Sequence, residues 1–159
     1  MKATYPIKYE EYVTKYAEEF DIDEYLLYAF IKTESSFNPK ASSKAGAIGL
    51  TQITEETFAW IKLKLCPKEE LKFQDLYQPE TSIRFGAYYI SRSLERYSGS
   101  VETAAAAYHS GWGLVDKLLI EQDSQVLTQF PYEQMNNYVH KINKAYKNYQ
   151  EIYQNKEGV

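Results

Sequence analysis

Residues Pro79 to Gly99, PETSIRFGAYYISRSLERYSG, form the most regular stretch of the 159-residue chain. Ile83, Ala87, Ile90, Leu94 and Tyr97 recur at steps of four, three, four and three, the apolar stripe of an amphipathic helix. Pro79 suits the first helical turn, where its missing N–H leaves no bond unmade. Gly99 suits the turn that ends the run.

Outward from this helix the same period recurs. Residues 8 to 20 carry Tyr9, Tyr12, Val13, Tyr16 and Phe20 at helical spacing. Asp21 or Asp23 caps a second helix running to about Ser35, with Leu26, Leu27, Phe30 and Ile31 inward. A third spans 55 to 65, with Glu55 and Glu56 facing the positive end of the helix dipole. Ser100 starts an Ala-rich helix through Ala104 to Ala107. The last runs from Pro131 to about Tyr153 with Val139, Ile142, Tyr146, Tyr149 and Tyr153 on one face. The expectation is five or six helices, no alternating strand, no repeat and no linker. The whole chain, residues 1–159, reads as a single mostly helical domain with its core over about residues 5–150.

Composition narrows the function classes. Lys and Arg number 18 against 22 Asp and Glu, a net charge of −4. A phosphate-backbone binder needs a basic face, so no nucleic-acid partner is expected. One cysteine excludes an internal disulfide, and with two histidines beside it no metal site and no cofactor are expected. Cys66 reads as a small apolar filler and His140 as a solvated side chain. No stretch approaches the roughly 20 apolar residues of a membrane span, and the start, Met1 to Pro6, lacks the apolar run of a secretory signal. The 16 tyrosines are the unusual count; most are expected to line the core with hydroxyls at its rim.

Glu34 is the residue that helix logic does not explain. Seven steps after Leu27, it returns to within roughly 20° of Leu27's direction, and Ile31 lies on the same stripe. A carboxyl that continues an apolar face and is partly buried keeps its proton to higher pH, as a general acid requires. After it come Glu34-Ser35-Ser36-Phe37-Asn38-Pro39, then Gly46-Ala47-Ile48-Gly49-Leu50-Thr51-Gln52-Ile53, and later Ala106-Ala107-Tyr108-His109-Ser110-Gly111. The glycines allow sharp turns or close backbone approach.

In these segments, in their order and spacing, the chain resembles the lysozyme-like catalytic domain of soluble lytic transglycosylases, enzymes that cleave bacterial peptidoglycan. The matching elements are Glu34-Ser35, Ser43 nine residues on, the Gly46 to Gln52 run, the Ile83 to Gly86 helix, Tyr108 to Gly111, and the closing Pro131 to Val139. The resemblance implies a helical lysozyme-like fold with a substrate groove and Glu34 as the one catalytic carboxyl, acid and then base. It implies that Ser43 touches the substrate or the acid, that Gln52 hydrogen-bonds sugar, and that Tyr108 orients the Glu34 carboxyl. Gly46, Gly49 and Gly111 would shape the loops around the groove.

The chain departs from the family pattern at several of these positions. Thr51 stands where the family has Met, Thr54 replaces another Met that contacts sugar, and Glu55 stands for Pro. Ser82 and His109 each replace Asn, while Gln134 and Asn136 fill a Glu and an Arg position in the closing segment. Thr54, His109 and Gln134 are thus carried as supporting site candidates whose effect is open.

The implied activity is cleavage of the bond between N-acetylmuramic acid and N-acetylglucosamine with formation of a 1,6-anhydro ring. The alternatives are a hydrolase resembling goose-type lysozyme, which needs a second carboxylate or a fixed water opposite Glu34, and a weakly catalytic glycan-binding scaffold domain. Asp75 and Glu80 are the candidate carboxylates, though both lie next to helix starts, where capping is the simpler role. The expected partner is the peptidoglycan glycan strand, met by a monomer. Its location implies an extracytoplasmic protein at the cell wall or cell surface, its export or anchor segment lying outside this chain.

Overall fold

The structure is a computed structural model that describes residues 2–154. Met1 and residues 155–159 of the expected domain lie outside the described residues. Among the described residues there are seven α-helices: α1 (Glu10–Glu19), α2 (Glu24–Ser35), α3 (Glu55–Leu65), α4 (Pro79–Arg96), α5 (Val101–Ser110), α6 (Trp112–Gln122) and α7 (Glu133–Tyr149). A 3-10 turn, Phe73–Tyr77, precedes α4, and a π turn, Gln150–Gln154, continues α7. The fold is mostly α, as the stripes predict. In place of strands, the loop between α2 and α3 holds two isolated antiparallel bridges, Ser42 with Ile48 and Ile48 with Ile53.

The central element is α2. Asp23 caps it by accepting a hydrogen bond from the Tyr25 N–H (2.8 Å), while Asp21 takes a left-handed turn before it (φ 55°). Every residue from Tyr25 to Ile31 is buried, the mark of a helix enclosed on all sides. α1, α4 and α7 pack against it. α5 buries four consecutive alanines, Ala104 to Ala107, whose single methyls let α4, α6 and α7 come close. Its cap is Ser100, which accepts from the Thr103 N–H (3.1 Å).

A second, smaller apolar cluster gathers Ile48, Ile53, Phe58, Ile61, Cys66, Leu76 and Phe85. α4 serves both: Ile83, Ala87 and Ile90 turn to the main core, and Phe85 to the smaller one. The α2–α3 loop is shared in the same way, with Leu50 in the first cluster and Ile48 and Ile53 in the second. That loop is thereby held across the end of α2, where Glu34 stands.

The helices differ from expectation at two places. α6 was not expected, because Gly111 and Gly113 read as a turn. Instead Gly111, with φ 90°, ends α5 and begins α6, and Gly113 lies inside α6. Only Val115 and Leu118 of α6 are buried, so its stripe is narrow. α7 starts at Glu133 rather than Pro131 and gives way to the π turn before Tyr153. Tyrosine hydroxyls close this end: Tyr149 donates to the Pro6 carbonyl (2.9 Å) and Tyr153 to the Tyr5 carbonyl (2.6 Å).

Candidate active site

Glu34 occupies the last turn of α2. The helix stops because Ser36 (φ 50°) and Phe37 (φ 64°) are both left-handed, a conformation that costs a non-glycine residue about 1–2 kcal/mol. Burial of the Phe37 ring in the main core offsets that cost. Ser35 Oγ donates to the Leu50 carbonyl (2.8 Å), fastening the loop over the helix end. Glu34 is therefore caught between α2, this loop and α7.

Its carboxyl is held by Tyr138, not by Tyr108. The Tyr138 hydroxyl, from the buried stripe of α7, donates to Glu34 Oε2 at 2.5 Å. The Glu34 pKa stands at about 7: burial raises it, and the Tyr138 hydrogen bond offsets part of that rise. Burial disfavours the charged form, whereas the phenol favours it by donating to the carboxylate. The carboxyl is thus balanced between its two protonation states near neutral pH, where one group can both give and take a proton.

Tyr108 turns elsewhere for a physical reason. The Thr51 carbonyl is left free by the tight turn from Gly49 to Gln52, and the Tyr108 hydroxyl donates to it at 2.5 Å. The Tyr108 ring packs on Phe30 (centroids 4.8 Å) and Tyr89 (5.3 Å). Glu34 still acts on Tyr108, raising its pKa together with burial, the larger cause. His109 lies over the Tyr138 ring, centroids 4.8 Å and planes 29° apart, with Nδ1 at 3.0 Å from Ser110 Oγ. Partial burial holds this imidazole below its ordinary pKa. The structure thus brings Glu34, Tyr138, Tyr108, His109 and Thr51 together.

The other candidates have local roles. Ser43 is exposed and its Oγ accepts from the Ala47 N–H (3.1 Å), which tightens the loop. Gln52 directs its amide nitrogen at the carbonyls of Ala41 (3.1 Å) and Gly49 (3.0 Å), so it braces the loop. Thr54 is the N-cap of α3, accepting from the Thr57 N–H at 3.4 Å. Gln134 is exposed in the first turn of α7. Gly46 (φ 87°) turns the loop in open space. Gly49 (φ 84°) is buried against the Leu76 carbonyl and Ser82 Oγ, where a Cβ does not fit.

Two departures from the family pattern prove to be partners. Thr51 and Ser82 are both fully buried. Ser82 Oγ accepts from the Thr51 N–H (3.1 Å), and Thr51 Oγ1 donates to the Ser82 carbonyl (2.8 Å). This pair ties the loop to α4. The two candidate carboxylates of the hydrolase alternative are engaged apart from Glu34: Asp75 accepts from the Lys72 N–H (2.7 Å), and Glu80 from the Tyr16 hydroxyl (2.7 Å) and Lys15 Nζ (3.2 Å).

Residues 11–130 match the family pattern of the transglycosylase SLT domain. The chain belongs to the transglycosylase SLT domain family. The SLT domain is 29% identical over 166 aligned positions to proteins named membrane-bound lytic murein transglycosylase C from Yersinia pestis (strain Pestoides F) and Yersinia pseudotuberculosis serotype O:1b (strain IP 31758). Those alignments cover 89% of this chain and 46% of the relatives, so the chain spans about half the length of the curated relatives it matches. The fold matches the 70 kDa soluble lytic transglycosylase SLT70 of Escherichia coli at a TM-score of 0.87 and 23% identity, over 94% of this chain and 25% of that one. It also matches an inactive glutamate-to-glutamine mutant of Slt from Pseudomonas aeruginosa, at a TM-score of 0.83 and 23% identity, over 94% and 25%.

Beside Tyr108 the SLT domain carries a groove of about 380 Å³, lined by Glu56, Thr57, Trp60, Tyr89, Trp112 and the two glycines 111 and 113. Tyr89 and Trp112 are parallel (3°, centroids 5.8 Å), and Trp60 meets Trp112 edge-on at 5.1 Å. Tyr89 links this wall to Tyr108. Aromatic surface with a few polar groups at its edge is a surface on which a pyranose ring can lie.

Proposed function

We propose that this SLT domain, a single unit over residues 1–159, is a peptidoglycan lytic transglycosylase acting outside the cytoplasmic membrane. The observation that carries this reading is one partly buried carboxyl, Glu34, poised at a pKa of about 7 by desolvation against a Tyr138 hydrogen bond. Protonated Glu34 gives its proton to the oxygen joining N-acetylmuramic acid to N-acetylglucosamine, and that bond breaks through an oxocarbenium-like state. Tyr138 stabilises the carboxylate that remains. The carboxylate then takes the proton of the muramoyl C6 hydroxyl as its oxygen bonds to C1, closing a 1,6-anhydro ring. Glu34 ends as it began and no water is consumed. An attached nucleophile has a high effective concentration, so a second carboxylate is not required. The names of the relatives and the aromatic groove support the same substrate.

The test is the mass of the product. Purified peptidoglycan digested by the SLT domain, read before any borohydride step, is expected to yield anhydro-muropeptides. A hydrolase leaves reducing ends heavier by about 18 Da, one water per cut. Glu34→Gln is expected to lower release by about 10²–10⁴-fold with the helical circular dichroism unchanged. Dominant reducing ends overturn the transglycosylase reading, and full activity in Glu34→Gln overturns the site.

A further inference from the structure

At the end of α2 away from Glu34, a cavity of about 260 Å³ opens between the first turns of α1 and α2 and the C-terminal π turn. Glu10, Thr14, Glu24, Tyr25, Tyr28 and Tyr153 line it. Glu24 stands ten residues before Glu34, about 15 Å along the helix. None of these residues takes part in the site described above.

Tyr28 is the unexplained group. It is 1% exposed, and its hydroxyl has no hydrogen-bond partner among the described residues. Its ring is fixed by stacking on Tyr149 (centroids 5.5 Å, planes 22° apart). Tyr28 lines the cavity together with Glu10, Glu24 and Tyr153, and its hydroxyl feels their electrostatic influence. Burial first, and then those two carboxylates, hold the phenol far above its ordinary pKa, so it is a neutral hydroxyl. A buried hydroxyl left without a partner costs free energy that a bound group would recover.

The chemistry of the lining selects the ligand. Two carboxylates and a phenol oxygen are acceptors, so the complement is a group rich in donors. The starts of α1 and α2 contribute about half a positive charge each against two full negative ones, leaving the cavity net negative by about one charge. An anion is therefore disfavoured. A divalent cation lacks ligands, since the described residues hold no group of three or more His, Cys, Asp or Glu fit for a metal. The tyrosine rings favour an organic cation. The chain's own Lys2 already shows the preference: its Nζ lies 5.9 Å from the centroid of the Tyr153 ring. Thr14 Oγ1 donates to Glu24 Oε2 (3.2 Å), which sets that carboxylate in place.

We propose that this cavity binds a primary ammonium carried on an aliphatic arm, received by Glu10, Glu24 and the Tyr28 hydroxyl oxygen within a wall of tyrosine rings. Such an arm is supplied by a free polyamine or by the side chain of a lysyl-type residue in a peptide. Calorimetric titration separates the two, with cadaverine for the first, Nα-acetyl-lysine N-methylamide for the second, and 1,5-pentanediol as the uncharged control. The amines are expected to bind and the diol not. Glu10→Gln and Glu24→Gln are each expected to weaken binding about two- to fivefold, and added salt to weaken it further. Tyr28→Phe is expected to weaken it as well. Tighter binding of the lysine derivative assigns the site to a peptide side chain, and equal binding assigns it to the ammonium arm alone. Absence of heat for both amines at about 10 mM, equal binding of the diol, or affinities unchanged in the variants overturns the proposal. Should Glu24→Gln lose its circular dichroism signal, Glu10→Gln and Tyr28→Phe decide. The titration uses no turnover, so its failure leaves the lytic reading untouched.

Discussion

Tyr138 reaches Glu34 across 104 residues of sequence, and its phenol sets how far burial raises the acid. Tyr138→Phe keeps the ring and removes only the donor. A hydrogen bond to a charged group is worth about 1.5–3 kcal/mol, and one pKa unit is about 1.36 kcal/mol. The Glu34 pKa is therefore expected to rise by about one unit or more, moving the pH–rate profile of kcat/KM to higher pH. An unmoved profile rules out the role. The same carboxyl bears on stability. Its folded pKa of about 7 lies above the ordinary carboxyl value of 4.5, so the folded state holds a proton that the unfolded chain has released between those values. Stability falls as pH rises through that window. Glu34→Gln is expected to be more stable than the parent at pH 8, by on the order of 3 kcal/mol at most, and so to melt at a higher temperature. The gain should vanish near pH 4, and thermal melts at the two pH values check it. Glu34 was legible in the sequence because a carboxyl on the Leu27 and Ile31 stripe breaks a simple pattern. Tyr138 was not: among 16 tyrosines, nothing local tells which hydroxyl crosses the core to an acid and which, like that of Tyr108, finds a carbonyl.

The α2–α3 loop is joined to α4 by the Thr51–Ser82 pair, and the two side chains are expected to act as a unit. Thr51→Val preserves shape but leaves the Ser82 carbonyl without its donor, and Ser82→Ala leaves the Thr51 N–H without its acceptor. Each is expected to destabilise by about 1–3 kcal/mol. The double variant should lose less than the sum, with a coupling of about 0.5–3 kcal/mol in denaturant melts; strict additivity contradicts the pairing. Elements were legible wherever a broad apolar stripe met a capping residue, as in α2 with Asp23 and α5 with Ser100. α6 escaped because it buries only Val115 and Leu118 and begins on Gly111, which reads as a break. The 3-10 and π turns are too short to show a period. The fastening of the loop by Ser35, Gln52 and Thr51 rests on contacts between side chains and distant carbonyls, which no local pattern announces.

At the scale of the whole molecule, the main core surrounds α2, while the smaller cluster stands on the far side of the loop. The acid lies at one end of α2 and the tyrosine-lined cavity at the other. The hydroxyls of Tyr149 and Tyr153 fasten α7 and its π turn to Pro6 and Tyr5 at that second end. The polypeptide is therefore sewn nearly into a ring. A circular permutant that joins Tyr5 to Tyr153 through a short flexible linker, and opens in the exposed segment at Lys68–Glu70, is expected to fold with the parent's far-ultraviolet spectrum and to keep Glu34 at its raised pKa. Collapse of that spectrum would contradict the closure. Such a ring can be spliced into a longer chain like a bead on a loop of thread, both strands of the thread leaving from one side while the side that carries Glu34 stays unobstructed.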